Sequence, residues 1–244
     1  MKGKGILIGA LSLLLSQTNV FACSANGKDG IVKENNLWIG SDVKSQTMPK
    51  EAFNKILDDV EEIYAPIIEE RGKRLKVERD WDNGTVNAYA QQTGNTWKIK
   101  MFGGLARHET ITQDAFAVVA CHELGHHLGG LPKKSSWWGG LSWASNEGQS
   151  DYFANTKCFR KYVEGDNNQQ IVNNMDVPEF VIEKCQQNFG NSEDVAICMR
   201  GSMAGKSLAN LFRALRNLDK ELKFDTPDRS VVSSTSHDHP DPQC

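Results

Sequence analysis

No stretch of this sequence is apolar for long enough to cross a bilayer as a helix. The longest, Gly5 to Leu15, falls well short of the roughly 20 residues a span needs. Nor is there a basic excess: 28 Lys and Arg face 31 Asp and Glu, with no basic stripe, which argues against nucleic acid as the main partner. Internal repeats and linker-like segments are missing too, so a single domain is the simplest organisation. The cysteines are too widely spaced for a zinc–thiolate cluster.

The N-terminus has the layout of a secretory signal peptide over residues 1–22. Lys2 and Lys4 precede the apolar stretch, and Val20-Phe21-Ala22 ends on a small residue before Cys23. The expected mature chain is a single domain, 23–244, and loss of the two lysines makes its formal charge of -3 more negative by two. Two fates follow for Cys23. Either its thiol is acylated, anchoring a bacterial lipoprotein to a membrane, or cleavage is ordinary and the protein is periplasmic or secreted. An exported chain can keep disulfides. Cys121, in an apolar helical run beside His122, reads as a buried free thiol. Cys158, Cys185, Cys198 and Cys244 are the disulfide candidates, with their pairing open.

Apolar residues at steps of three and four predict a helix over 49–68. Strand-like pieces follow at 75–78, 85–90 and 96–102. The last alternates Trp97, Ile99 and Met101 against Lys98 and Lys100, the pattern of a sheet with one wet face. Thr112 is a plausible N-cap for a dense apolar helix running to Leu128, and Gly129-Gly130-Leu131-Pro132 ends it. Residues 135–142, with Trp137 and Trp138, read as a loop. A second helix starts near Asn146 and runs to about Tyr162. Residues 165–175 read as a polar surface loop, helices return at about 178–188 and 193–215, and an irregular tail begins at Asp225. The class is α+β, with a small early sheet and a mainly helical C-terminal half.

His122 and His126 stand four positions apart on the apolar helix, so both imidazoles share one face within reach of one ion. Glu123 is placed beside them to take a proton from water. Two histidines and a glutamate in so buried a helix need a reason. Gly125 costs the helix about 1 kcal/mol against Ala, which makes sense if something approaches closely there. A catalytic zinc site has three protein ligands and one open position. A third histidine six residues after the second is excluded, because Pro132 stands there. A carboxylate from the following helix is the other route. Glu147 is assigned as third ligand, and Asp151, four residues on, as the carboxylate holding a ligand histidine by its other nitrogen. The two roles are interchangeable at this stage, and a solvated acidic pair at a helix start is the non-catalytic alternative. His127 follows His126 directly and suits packing or a hydrogen bond rather than ligation; His108 reads as structural or surface. Trp137, Trp138 and Trp143 either wall a substrate site or fill the core.

The pattern His122-Glu123-x-x-His126 with Glu147-x-x-x-Asp151 resembles the gluzincin metallopeptidases, and within them the M48 family. Asn87-Ala88-Tyr89-Ala90, the strand with Trp97 to Met101, and Gly104-Leu105 are similar to the segment before the zinc helix of that family. Ser236-His237-Asp238-His239-Pro240 resembles its short Thr-His-Pro segment, though the arginine that follows there has no counterpart before Cys244. The resemblance covers residues 50 to 160 most fully. It implies a zincin-like domain whose edge strand packs on the active-site helix, with one Zn2+ per chain. It also implies a peptide or protein substrate bound along the strand near Asn87 to Ala90. Hydrolysis would use Glu123 as general base and an oxyanion donor. His239 is the first candidate for that donor, with His237 and Tyr152 behind it. Competing expectations are a zinc hydrolase of another bond, an inactive zinc-binding protein of envelope assembly or a chaperone-like one that retains the fold, and a helical structural protein with an accidental motif.

Overall fold

The computed structural model describes residues 20–21, 30–45, 48–135, 140–230 and 233–243. Most of the expected leader, together with Cys23, Trp137, Trp138 and Cys244, lies outside them. The first helix, α1 (Lys50–Glu69), buries Phe53, Ile56, Leu57, Val60, Tyr64 and Ile68, the stripe its three- and four-residue spacing predicts. The main sheet has the order β1-β3-β4-β2, from β1 (Val20–Phe21), β2 (Arg74–Asp80), β3 (Ala88–Thr93) and β4 (Thr96–Phe102). Strands β3 and β4 form an antiparallel hairpin, and β2 pairs parallel to β4. Gly94 supplies the positive φ of the two-residue turn between Thr93 and Thr96. Ile99 and Met101 are fully buried, while Lys98 and Lys100 pair with Glu78 and Asp80 of β2 at 3.1 and 3.0 Å on the other face. The strand expected at 85–90 starts later. Thr85 makes only an isolated bridge to Trp38, and the Asn87 side chain is turned to Val32 and to the amide of Ala88.

After a short α2 (Gly103–Arg107) comes α3 (Gln113–Leu128), whose first turn is capped by Thr112 Oγ1 accepting from the Ala115 N–H. Its residues from Ala115 to His127 are all buried, so it has no solvent face. It is the central helix, packed by α1, by β3 and β4, and by the elements that follow. The expected loop at 135–142 is partly strand. β5 (Lys133–Ser135) and β6 (Leu141–Ser145) form a two-stranded ladder, pairing Lys133 with Ser145 and Ser135 with Leu141. The Gly and Trp content of the segment hid β6, whose burial rises along its length instead of alternating, with Trp143 and Ala144 packed with Ala90.

Asn146 caps α4 (Glu147–Phe153) by accepting from the Gln149 N–H, and a π-helical turn (Ala154–Phe159) continues into α5 (Arg160–Tyr162). The expected polar loop at 165–175 contains α6 (Asn168–Asn173). Composition misled here because Asn168 is not a surface residue. It is fully buried, donating to Val163 O and Glu193 and accepting from Arg200. α7 (Glu179–Asn188) and α8 (Ser192–Leu215) complete the helical half. Arg200 of α8 is buried and binds Asp114 in the first turn of α3 through two hydrogen bonds, at 3.0 and 2.7 Å. No helix among the described residues is long and apolar enough to cross a membrane.

Among the described residues, two disulfides staple this half: Cys121–Cys158 and Cys185–Cys198. The free-thiol expectation for Cys121 is therefore overturned. α3 and the π-helical turn pack side by side, which brings two buried sulfurs together from opposite walls of one core. Replacing Cys121 and Cys158 together by Ala is expected to lower the unfolding free energy by about 3–4 kcal/mol, given the 37-residue separation. Denaturant melts read this directly; a loss under about 1 kcal/mol would contradict the bond's contribution.

Candidate metal centre

The centre lies where α3 crosses α4. A β-carbon at Gly125 would sit 2.8 Å from Ser150 Cα and 2.9 Å from Ser150 O, closer than packing allows. Glycine is thus required by the approach of α4, the reason its helix cost suggested. The two histidines of α3 and the first turn of α4 then face each other in an environment closed to solvent: His122, His126 and Glu147 are each at most 2% exposed.

Each histidine is held by its Nδ1. His122 Nδ1 lies 2.7 Å from Asp151 Oδ1, and His126 Nδ1 lies 2.9 Å from the carbonyl of Ser145 and 3.0 Å from Ser150 Oγ. A carbonyl and a carboxylate only accept, so both Nδ1 atoms donate and both Nε2 atoms are turned toward Glu147. His122 Nε2 is 3.1 Å and His126 Nε2 3.5 Å from Glu147 Oε2. The other oxygen, Oε1, takes the ammonium of Lys134 from β5. Lys134 therefore leaves a single carboxylate oxygen facing the imidazoles.

These three side chains could hold a metal ion, their ligand atoms all lying within 4.8 Å of one another. A tetrahedral ion with arms of about 2.0–2.1 Å holds its ligands about 3.3–3.4 Å apart. The two imidazole–carboxylate separations, 3.1 and 3.5 Å, bracket that edge, so each histidine can share an ion with Glu147. Electrostatics agree. Burial drives His126 down to about 3, leaving a neutral imidazole. Burial also opposes charge on His122, but Asp151 and Glu147 outweigh it and raise its pKa. Burial pushes the Glu147 carboxyl up, while His126, His122 and His239 together hold it well below its usual range. Metal binding at these groups would displace any proton on the Nε2 atoms.

Glu123 has a different status. It is fully buried and neither carboxyl oxygen has a hydrogen-bond partner. Burial pushes its pKa up to about 8. A buried carboxyl without partners is costly, so such a group calls for a ligand or water.

The tail reaches the centre. Asn146, the cap of α4, donates to Ser236 O at 3.0 Å, and His239 stacks on His122 with ring centroids 5.4 Å apart. His239 Nε2 is 3.2 Å from Glu147 Oε2 without hydrogen-bond geometry, so it is buried and unpartnered. It also groups with His122 and Asp151 as a possible ligand set. His237 has a buried, unpartnered Nδ1. Tyr152 is 57% exposed and stands outside both groups. His127 packs rather than ligates, stacked between Trp97 and Trp143 with Nε2 3.1 Å from Lys98 O. Trp143 thus has a packing role. His108 is structural, its Nδ1 2.9 Å from Thr110 Oγ1. The expected substrate edge at Asn87 to Ala90 is met by the chain itself. Ile31 N–H donates to Ala88 O at 2.9 Å, and β1 pairs with Gln91 and Gln92 just beyond.

Sequence reasoning missed Lys134, Ser145 and Ser150. A lysine in a Gly/Trp/Ser-rich segment carries no signal of a buried partner, and a backbone carbonyl carries none at all. No family model, curated protein or solved structure matches this chain.

Asp151→Ala is expected to weaken metal affinity about 10–100-fold by freeing the His122 ring. Competition against a chromogenic chelator measures it, and an unchanged affinity would remove Asp151 from the support of the centre.

Proposed function

We propose that this protein is an exported zinc metallopeptidase of the gluzincin type, similar to the M48 family. Its ligands are His122, His126 and Glu147, and its general base is Glu123. The observation that carries the reading is the Glu123 carboxyl group, buried and without partners, one residue from a set of three groups that could hold a metal ion. Zinc suits two imidazoles and a carboxylate, and when bound it polarises a carbonyl and makes water acidic near neutral pH.

The chain's own groups supply the rest. Glu123 takes a proton from the attacking water and returns it to the leaving amine. Asp151, Ser145 and Ser150 hold the two imidazoles in the tautomers that present Nε2. Lys134 holds one oxygen of Glu147. His239 Nε2, which makes no hydrogen bond, would donate to the oxyanion that develops on the scissile carbonyl. Tyr152, exposed on the outer side of α4, ranks behind it.

Export accords with two disulfides. An extended substrate lying on β3 would take the backbone groups of Gln91 and Gln92 that β1 now uses. Signal-peptide cleavage after Ala22 would release those groups.

Glu123→Gln is expected to keep its zinc and lose about 10²–10⁴-fold in kcat on peptide substrates; full activity with zinc retained would eliminate Glu123 as base. His239→Phe should lower kcat about 10²–10³-fold with metal content unchanged. Wild-type kcat in that variant would assign the oxyanion to another donor.

A further inference from the structure

Lys134 sits in a place lysine usually avoids, with its side chain only 15% exposed beside the metal centre. Its ammonium meets Glu147 Oε1, while Glu147 Oε2 lies 3.1 and 3.5 Å from the Nε2 atoms of His122 and His126. We propose that Lys134 is a positioning residue of the centre. By occupying Oε1 it confines Glu147 to one ligating oxygen and keeps the fourth position of the ion free of protein. The proposal rests on the ligands assigned in the peptidase reading above.

The hairpin that carries the lysine is built to hold it there. Lys133 donates to Trp143 O at 2.7 Å within the hairpin, whereas Lys134 leaves it for α4. Between the pairs Lys133–Ser145 and Ser135–Leu141 the ladder shifts register, and Lys134 stands at that shift. Irregularities of this kind re-aim side chains. The base of the hairpin is also clipped to the start of α4, where the Asn146 N–H donates to Pro132 O at 2.9 Å. The clip lies one residue from Glu147 and two from Lys134, so ammonium and carboxylate are fixed against each other.

A carboxylate can give a metal one oxygen or two. With two imidazoles and both oxygens, an ion would have four protein donors, and the position a catalytic site leaves open would be filled. A cation beside a divalent ion opposes its binding. The contribution of Lys134 to a loaded centre is therefore the restraint on Oε1 and not added affinity. A lysine that served only to support the fold would have the opposite signature, because its loss would loosen the ligands and weaken the metal.

Crystal structures of the zinc-loaded wild-type and Lys134→Met proteins, with chelator competition and peptide kinetics on each, separate the two. The wild type should show one Glu147 oxygen at about 2.0–2.2 Å from the zinc and a non-protein fourth ligand. In Lys134→Met both Glu147 oxygens should ligate. Metal should bind at least as tightly as in the wild type, and kcat should fall about 10–100-fold with KM unchanged. Lys134→Arg, which still donates to Oε1, should return Glu147 to one oxygen. Circular dichroism checks that the variants are folded. A single ligating oxygen in Lys134→Met, weaker metal binding there, or a wild-type kcat overturns the proposal, as does a wild-type protein that takes up no zinc. One ligating oxygen in the wild type and two in Lys134→Met, with no peptide cleaved by the wild type, keeps the role of Lys134 and overturns the peptidase reading instead.

Discussion

Helices α3 and α4 approach at Gly125 until the backbone of Ser150 occupies the space a side chain would need. That crossing sets the distance between two histidines of one helix and a glutamate of the next. It also places Ser150 Oγ on His126 and Asp151 on His122. A larger residue at Gly125 would separate the helices and dissolve the centre before any ligand was changed. The Cys121–Cys158 bond, one residue from His122, ties the same two segments together further along. Packing, covalent cross-link and donor geometry therefore act on one interface.

The second constraint is electrostatic. Burying a carboxylate among three imidazoles is tolerable only if charge is matched. Lys134 and a charged His122 provide that match around Glu147. Glu123 has no such match, and its raised pKa records the cost. The two glutamates thus divide along lines the packing imposes: one is paired with Lys134 and His122, the other is buried with no hydrogen-bond partner.

Much of this was legible because helical periodicity is short-ranged. His122 and His126 at a spacing of four, the Thr112 cap, the alternation of Trp97 to Met101 and the α1 stripe all follow from local rules. Glu147 and Asp151 were reachable because Pro132 removed the alternative and the spacing allowed a reversal of the chain. What escaped depended on contacts distant in sequence. Cys121 looks the same to a sequence reader whether free or bonded, because its partner is 37 residues away. Asn168 looks like loop until Arg200 and Glu193 are seen around it.

The central claim is a buried two-imidazole, one-carboxylate metal site, and X-ray absorption at the zinc edge of the zinc-loaded protein tests it most directly. The account predicts one zinc per chain, a first shell of nitrogen and oxygen at about 2.0–2.1 Å, and the outer-shell scattering of two imidazoles. A sulfur shell at about 2.3 Å, or a spectrum without imidazole scattering, would contradict it.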